Sequence, residues 1–517
     1  MIGFKSFVDA RKIPSGTPIE ADLCIIGSGP AGISLAREFA NTATRIAILE
    51  TGGLNFEPDI HKLAAIENVG MPYDADGCRL RYFGGSSNHW GGQCVRLEKI
   101  DFEERDWIPL SGWPFGLDHL MPYYDRAHDV HEIGENSYDP KPVLDKLKYQ
   151  LFPLSGDRIE SGIARFNRLR FGIRYAPELD QAANVKIYLY ATVTSVRLAP
   201  GQRAVSHLTA KTLAGNEITV RAKRFVLATG GIENARLLLD SMEDQPKGLG
   251  NYHDLVGRTF GESVSYKSGI ILPERMDPLY GIYTDERIYV DSDGDRLRVR
   301  GHLAVPMELT RKLRIPKFRA EIEATLVPMH GPFDAGFSLE DVSTLFARGF
   351  TKLGRIIRGT AWTPTCYKIL NSVEQPPNLE SRVTLSDEKN ALGQRLAKLD
   401  WRVGKLELES IRVAQRQIAH EVGRAGFARF RSFLPAHDEA ILDGVVGAMH
   451  HRGTTRMHDD PRRGVVDRNC KIHGLENIYV AGSSVFPAFG WANPTLTITA
   501  LALRLADHLK TEIARNG

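Results

Sequence analysis

The chain has 517 residues, 42% hydrophobic and 25% charged, with 66 Lys and Arg against 63 Asp and Glu for a formal net charge of +3. That length exceeds one ordinary hydrophobic core and suggests roughly two to four domains. The near-balanced charge gives no reason to invoke nucleic acid or an anionic membrane as partner. Cys24, Cys78, Cys94, Cys366 and Cys470 are scattered with no C-x-x-C spacing, which argues against a disulfide framework, a zinc site or attached haem. No apolar run reaches the roughly 18 residues of a membrane span, and residues 1–20 lack the features of a secretory signal. A cytoplasmic protein is therefore expected, with a signal-bearing partner subunit as the alternative.

In chain order, the first informative element is Asp22-Leu23-Cys24-Ile25-Ile26, an apolar run suited to a buried parallel strand. It leads straight into Gly27-Ser28-Gly29-Pro30-Ala31-Gly32. Residues 31–40 then follow helical spacing, and residues 45–49 form a second buried run ending in Glu50. A lone G-x-G-x-x-G is weak evidence; set between strand and helix, with an acidic residue about 20 positions on, it is a dinucleotide fingerprint. Gly27 makes the tight turn, Gly29 lets backbone approach a pyrophosphate, and Gly32 lets helix pack on strand. The helix N-terminus offers unpaired N–H groups to phosphate. Glu50 would accept hydrogen bonds from ribose hydroxyls, and its charge disfavours a 2′-phosphate.

Residues 73–116 are rich in Gly, Trp and Pro with little regular period, which predicts a long ordered segment covering a cofactor. Strands are predicted at 185–189, 192–198, 208–212 and 218–220. Another, at 224–228, runs into Thr229-Gly230-Gly231, and 232–239 reads as a helix. From about 255 to 440 the pattern weakens, with a strand at 268–272 and one long helix at 406–424. Asn477-Ile478-Tyr479-Val480-Ala481-Gly482 is again strand into glycine, and 495–514 is an amphipathic helix. The expected division is a nucleotide domain from 1–255 and 441–517, with a second, sheet-rich domain at 256–440.

Four blocks carry a resemblance: the fingerprint, Gly84-Gly85-Ser86-Ser87-Asn88-His89-Trp90-Gly91-Gly92, the stretch from Leu227-Ala228-Thr229-Gly230-Gly231 to Arg236, and a closing block. The closing block comprises His450-His451-Arg452-Gly453-Thr454-Thr455-Arg456-Met457 and Gly490-Trp491-Ala492-Asn493-Pro494-Thr495-Leu496-Thr497. Together they resemble the glucose–methanol–choline (GMC) oxidoreductases, FAD enzymes that oxidise alcohols. Within that family they look like the branch of pyranose 2-oxidase, bacterial glycoside 3-oxidases and sugar dehydrogenase flavin subunits. The motifs span the flavin domain, about 60% of the chain, and barely touch the middle.

The resemblance implies an α/β fold: a Rossmann-like FAD-binding domain with a sheet-rich α+β substrate-binding domain. It implies FAD contacts at Gly84, Gly85, Asn88, His89, Trp90 and Gly91. Val193, Ala228, Gly482, Asn493 and Thr495 are further contacts it implies. His89 matches the position through which fungal pyranose oxidases attach FAD. Gly91 and Gly92 replace bulkier fungal residues, so non-covalent FAD is expected, with a covalent link through His89 as the alternative. His450 matches the catalytic histidine and Asn493 its partner, a second histidine in other members.

Those roles suit the residue chemistry. An imidazole with an unperturbed pKa of about 6.5 can take a hydroxyl proton near neutral pH, and an amide N–H can donate to the forming alkoxide. The plain alternative for His450 is a core histidine. Thr455 departs from pyranose 2-oxidases, which have a histidine there. His451 and His458 lie nearby, but no carboxylate or cysteine sits at ligand spacing, so no metal is expected.

The expected function is FAD-dependent oxidation of a secondary hydroxyl of a sugar or glycoside to a ketone, with pyranose carbon-3 preferred. Reoxidation falls to oxygen or a quinone-type acceptor. The alternatives are an aminoglycoside-type or non-sugar alcohol as substrate, or a flavin subunit within a multi-subunit dehydrogenase.

Overall fold

A computed structural model describes residues 4–291, 294–325 and 365–516. The strand Ile19–Ile26 is fully buried from Leu23 onward. It is buried because strands flank it on both sides, Ile46–Leu49 and Glu217–Leu227, both parallel to it. Among the described residues this sheet has eight strands. Phe7–Asp9, Val185–Leu189, Ile46–Leu49, Ile19–Ile26, Glu217–Leu227, Val205–Lys211 and Thr192–Leu198 follow in order, and Ile478–Val480 also pairs with Glu217–Leu227.

The two strands predicted at 218–220 and 224–228 are one strand of 11 residues. Arg221 and Lys223 interrupt the apolar pattern, yet backbone pairing to Glu20 and Ala21 continues through them. The strand is long because it serves two neighbours on one edge. Its residues 217–220 pair antiparallel with Val205–Lys211, and 225–227 pair parallel with Ile478–Val480.

Four strand ends therefore finish side by side. Gly27 N–H donates to the Leu49 carbonyl (2.8 Å), Ala228 N–H to Ile26 (2.8 Å) and Ala481 N–H to Leu227 (2.7 Å). Ligands of open α/β sheets bind in the crevice outside such carboxyl ends. The helix Pro30–Phe39 opens with proline at its first turn and buries Ile33, Leu35, Ala36 and Phe39. It packs against the closing helix Pro494–Asn516, which in turn packs on Leu117–His131.

A second, antiparallel sheet, of nine strands among the described residues, lines the same crevice through Gln93, Phe166 and Glu321. Its main path runs Ala428–Ser432, Ser263–Pro273, Cys366–Glu374, Phe318–Thr325, Arg296–Ala304, Glu160–Phe166 and Gln93–Cys94. The stretch 256–440 supplies most of it; residues 93–94, 160–166 and 446–447 join from outside those bounds, and 326–364 lie outside the described residues. The long helix predicted at 406–424 forms as Lys405–Ala425 and packs on this sheet.

Candidate active site

One cavity of about 610 Å³ runs from the fingerprint to the closing block. The glycines at its base divide by role. Gly27 takes φ +101°, and a Cβ there would lie 2.5 Å from the Ala228 carbonyl oxygen. A Cβ at Gly32 would lie 2.0 Å from the Gly27 carbonyl oxygen, so its bare face is a packing requirement. At Gly29 a Cβ would meet no protein atom within 4 Å, and the residue lines the cavity. Its missing side chain keeps space for a ligand rather than for the fold.

Glu50 is 6% exposed and lies on the cavity wall. Its Oε2 accepts the Ser28 N–H (3.1 Å) and hydroxyl (2.5 Å), while Oε1 accepts only the Gly52 N–H (3.0 Å). A carboxylate oxygen accepts two hydrogen bonds, so Oε1 retains an acceptor position for a ribose hydroxyl. The bare backbone, the anchored carboxylate and the volume together fit an FAD.

The covering segment 73–116 contributes Gly85, His89, Trp90, Gly91 and Gln93 to the wall. Val193, Ala228, Gly482 and Thr495 line it too. Gly32, Gly84 and Asn88 stand behind it. Asn88 donates from Nδ2 to the Phe83 carbonyl (2.9 Å), and Gly84 (φ +96°) lies against the Gly172 backbone, so both shape the turn that presents their neighbours. Burial, with Arg170 and His61 adding, pulls the His89 imidazole below its ordinary value, which leaves a neutral ring facing the cavity. Trp90 is fixed by its indole N–H to the Leu169 carbonyl (2.8 Å).

At the far end the chain brings His450 and Asn493 together. An isolated antiparallel bridge, Gly261 to Arg452, lays the start of the closing block against the second sheet and sets Ser263 beside His450. Downstream, Gly453 N–H bonds the Ser483 carbonyl (3.1 Å) and Thr455 N–H that of Ser484 (2.9 Å), so the segment is held along the nucleotide sheet as well. The Asn493 amide nitrogen lies 3.2 Å from His450 Nε2. Met449, just before His450, has φ +64°, a backbone that costs a non-glycine residue about 1–2 kcal/mol and is of a kind that clusters at functional sites.

Hydrogen-bond polarity around the pair follows from its arginines, which only donate. Arg319 Nη1 donates to the Gln93 amide oxygen (2.6 Å), which turns the Gln93 amide nitrogen to donate to Asn493 Oδ1 (3.1 Å). Asn493 Nδ2 is thereby turned toward His450 Nε2. On the other side, the Arg452 Nη2 hydrogens have closer or equal acceptors in Ser263 Oγ (2.7 Å) and the Ala492 carbonyl (3.1 Å). His450 Nδ1 (3.1 Å from Ser263 Oγ) then donates to that hydroxyl oxygen, and the lone pair sits on Nε2, facing the cavity.

Burial pushes the His450 imidazole well below the ordinary histidine value; Arg452, Arg319 and His451 add in that order. Burial also pulls Arg452 down to about 10, which still leaves it a cation at neutral pH. His451 is drawn down to about 3 by burial and Arg79; its Nε2 lies 3.3 Å from Cys78 Sγ, and it is a neutral wall residue. Thr455 is fully buried, bonds Ser484 Oγ (2.8 Å) and is absent from the cavity wall.

Sequence reasoning missed Gln93, Ser263, Arg319 and Arg452. Gln93 directly follows the His89-Trp90-Gly91-Gly92 block, and Arg452 follows His450 by two, so adjacency to a motif was the available signal for these two. Ser263 and Arg319 belong to the weakly patterned middle and had none.

Comparison with known proteins gives the family. Residues 22–323 match the FAD dependent oxidoreductase family and residues 377–502 the GMC oxidoreductase family. The chain is 35% identical to a C-glycoside 3-oxidase from Microbacterium trichothecenolyticum, covering 96% of this chain and 98% of that one. It is 24% identical to 6'''-hydroxyparomomycin C oxidase from Streptomyces lividus, covering 95% and 92%. Among solved structures, pyridoxine 4-oxidase from Mesorbium loti shares the fold at a TM-score of 0.60 and 18% identity, covering 94% of this chain and 99% of that one. With fingerprint, cradle and matches in accord, the chain belongs to the GMC family and is an FAD-dependent oxidoreductase acting on CH–OH donors.

Proposed function

We propose that this enzyme oxidises a secondary hydroxyl of a sugar or glycoside to a ketone, with the carbon-3 hydroxyl of a pyranose preferred. The observation that carries the reading is the 3.2 Å approach of Asn493 Nδ2 to His450 Nε2, at the end of a cavity that begins at the dinucleotide fingerprint. FAD, when bound, supplies the acceptor for the hydride leaving the alcohol carbon. His450 takes the hydroxyl proton at Nε2 and later returns it. Asn493 donates from Nδ2 to the oxygen as negative charge builds there, and so also fixes the carbon's position. The similarity to a C-glycoside 3-oxidase over almost the whole chain favours carbon-3. An aminoglycoside-type alcohol is the second reading, favoured by the similarity to a paromomycin-type oxidase.

We take FAD to be non-covalent. Acid precipitation tests this: yellow supernatant is expected, and yellow pellet from wild type but not from His89→Ala would reverse it. The five unpaired, buried cysteines suit a reducing compartment, and we place the enzyme in the cytoplasm. The principal test is an anaerobic visible titration of the holoenzyme with sugars, glycosides and simple alcohols, then admission of air. Bleaching by glycosides with recovery and peroxide in air is the outcome expected of an oxidase, and recovery only with a quinone marks a dehydrogenase. A flavin that no carbohydrate bleaches would refute the sugar reading.

A further inference from the structure

The cavity wall presented by the second sheet is built on two-residue alternation. Arg298 and Arg300 share a face of Arg296–Ala304, and Arg319 and Glu321 share one of Phe318–Thr325. Two carboxylates reach the cavity from this side, Glu321, joined to Asn493 through Gln93, and Glu286. Each already has two guanidinium partners. Glu321 is held by Arg319 (2.5 Å) and Arg300 (3.5 Å), and Glu286 by Arg168 (2.9 Å) and Arg298 (3.7 Å). Arg452 adds a fifth guanidinium beside His450 (3.1 Å). The carboxylate acting most strongly on Arg452 is Glu262, which is fully buried and bonded to the Tyr73 hydroxyl (2.6 Å). At the two wall carboxylates four guanidiniums thus stand against two carboxylates, while Arg452 beside His450 is faced by Glu262, Glu374 and Asp101.

We infer that this chamber selects its substrate by charge, admitting neutral or anionic polyhydroxyl compounds and discriminating against those that carry an ammonium group near the oxidised carbon. The inference rests on the sugar reading above and decides between its two substrate classes. A carboxylate shared by two guanidiniums still has lone pairs for hydroxyl donors, so Glu321 and Glu286 can read the hydroxyls flanking the reacting carbon. Their field, however, is cancelled. An ammonium entering the site would lose water and gain no counter-ion. An uncharged hydroxyl loses far less, and a carboxylate is attracted.

The test compares anaerobic flavin reduction of the holoenzyme by a methyl hexopyranoside, its 2-amino-2-deoxy analogue and its uronate. At a pH where the amine is protonated, kcat/KM for the amino sugar should fall about tenfold or more below the parent, with the uronate equal or better. The gap should close as pH rises through the amine's own pKa, about 8; titration of His450 affects all three and cancels in the ratio. Arg298→Gln and Arg168→Gln alter half-exposed side chains and should each raise the amino-to-parent ratio severalfold, a ratio insensitive to loss of folded protein. An amino sugar that matches or beats the parent while protonated would overturn the inference alone. If no sugar of any charge bleaches the flavin, the sugar reading falls and takes this inference with it.

Discussion

Removing the His450 imidazole takes away the proposed proton acceptor while leaving the proposed FAD cradle at Gly27, Gly29 and Glu50 untouched. His450→Ala should therefore slow flavin reduction by about 10² or more with FAD content unchanged; near-normal reduction in stopped flow would remove His450 from the role. Its environment also predicts a pH profile. Burial first, then Arg452 and Arg319, disfavour the imidazolium, so the neutral base persists well below pH 6.5. Flavin reduction should be level across neutral pH and fall only in acid. Arg452→Met removes one of those causes and should move the acid limb upward, toward 6.5, in the pH dependence of kcat/KM; an unmoved limb would show that Arg452 is not among its causes. Gln93 acts through Asn493, since its amide turns that side chain. Gln93→Met should slow reduction roughly tenfold, the worth of about one hydrogen bond, with a smaller change in KM.

At the scale of elements, the strand–turn–helix unit separates two uses of glycine that its motif cannot distinguish. Gly32→Ala forces a Cβ to 2.0 Å from a carbonyl oxygen and should cost about 1–3 kcal/mol as overpacking, read as a lower melting temperature of the apoprotein. Gly29→Ala puts its Cβ into open cavity. It should leave that melting temperature unchanged and weaken FAD retention, measured as flavin released on dilution. Equal behaviour of the two variants would show the cradle to be misassigned. This unit was legible because everything it needs lies within residues 19–50: a buried run, glycines, a helical period and an acidic end. The strand Glu217–Leu227 was less legible, because its length reflects two partners on one edge, and a local pattern broken by Arg221 and Lys223 does not record partners.

Across the whole molecule, the covering segment is tied to the second sheet by the side chains of Arg105 and Glu374. Both are at most 1% exposed and meet through two hydrogen bonds (2.8 and 2.5 Å). Arg105→Met leaves a buried carboxylate without its cation and should destabilise the protein by about 3–5 kcal/mol, seen as a fall in the first thermal transition; adding Glu374→Met should recover part of the loss. The sequence by itself determined the dinucleotide unit, whose strand, glycines and helical period are local, and the family that its motif blocks resemble supplied FAD and the candidate pair His450 and Asn493. The tertiary structure decided what surrounds them. Ser263 reaches His450 across 187 positions, and strand register in the second sheet brings Arg319 and Glu321 to Gln93, which alone of the three meets Asn493. The charge of the substrate chamber belongs to the same class. It depends on which face each alternating strand turns inward and on which guanidinium each carboxylate meets, and both are set by long-range packing that no local pattern encodes.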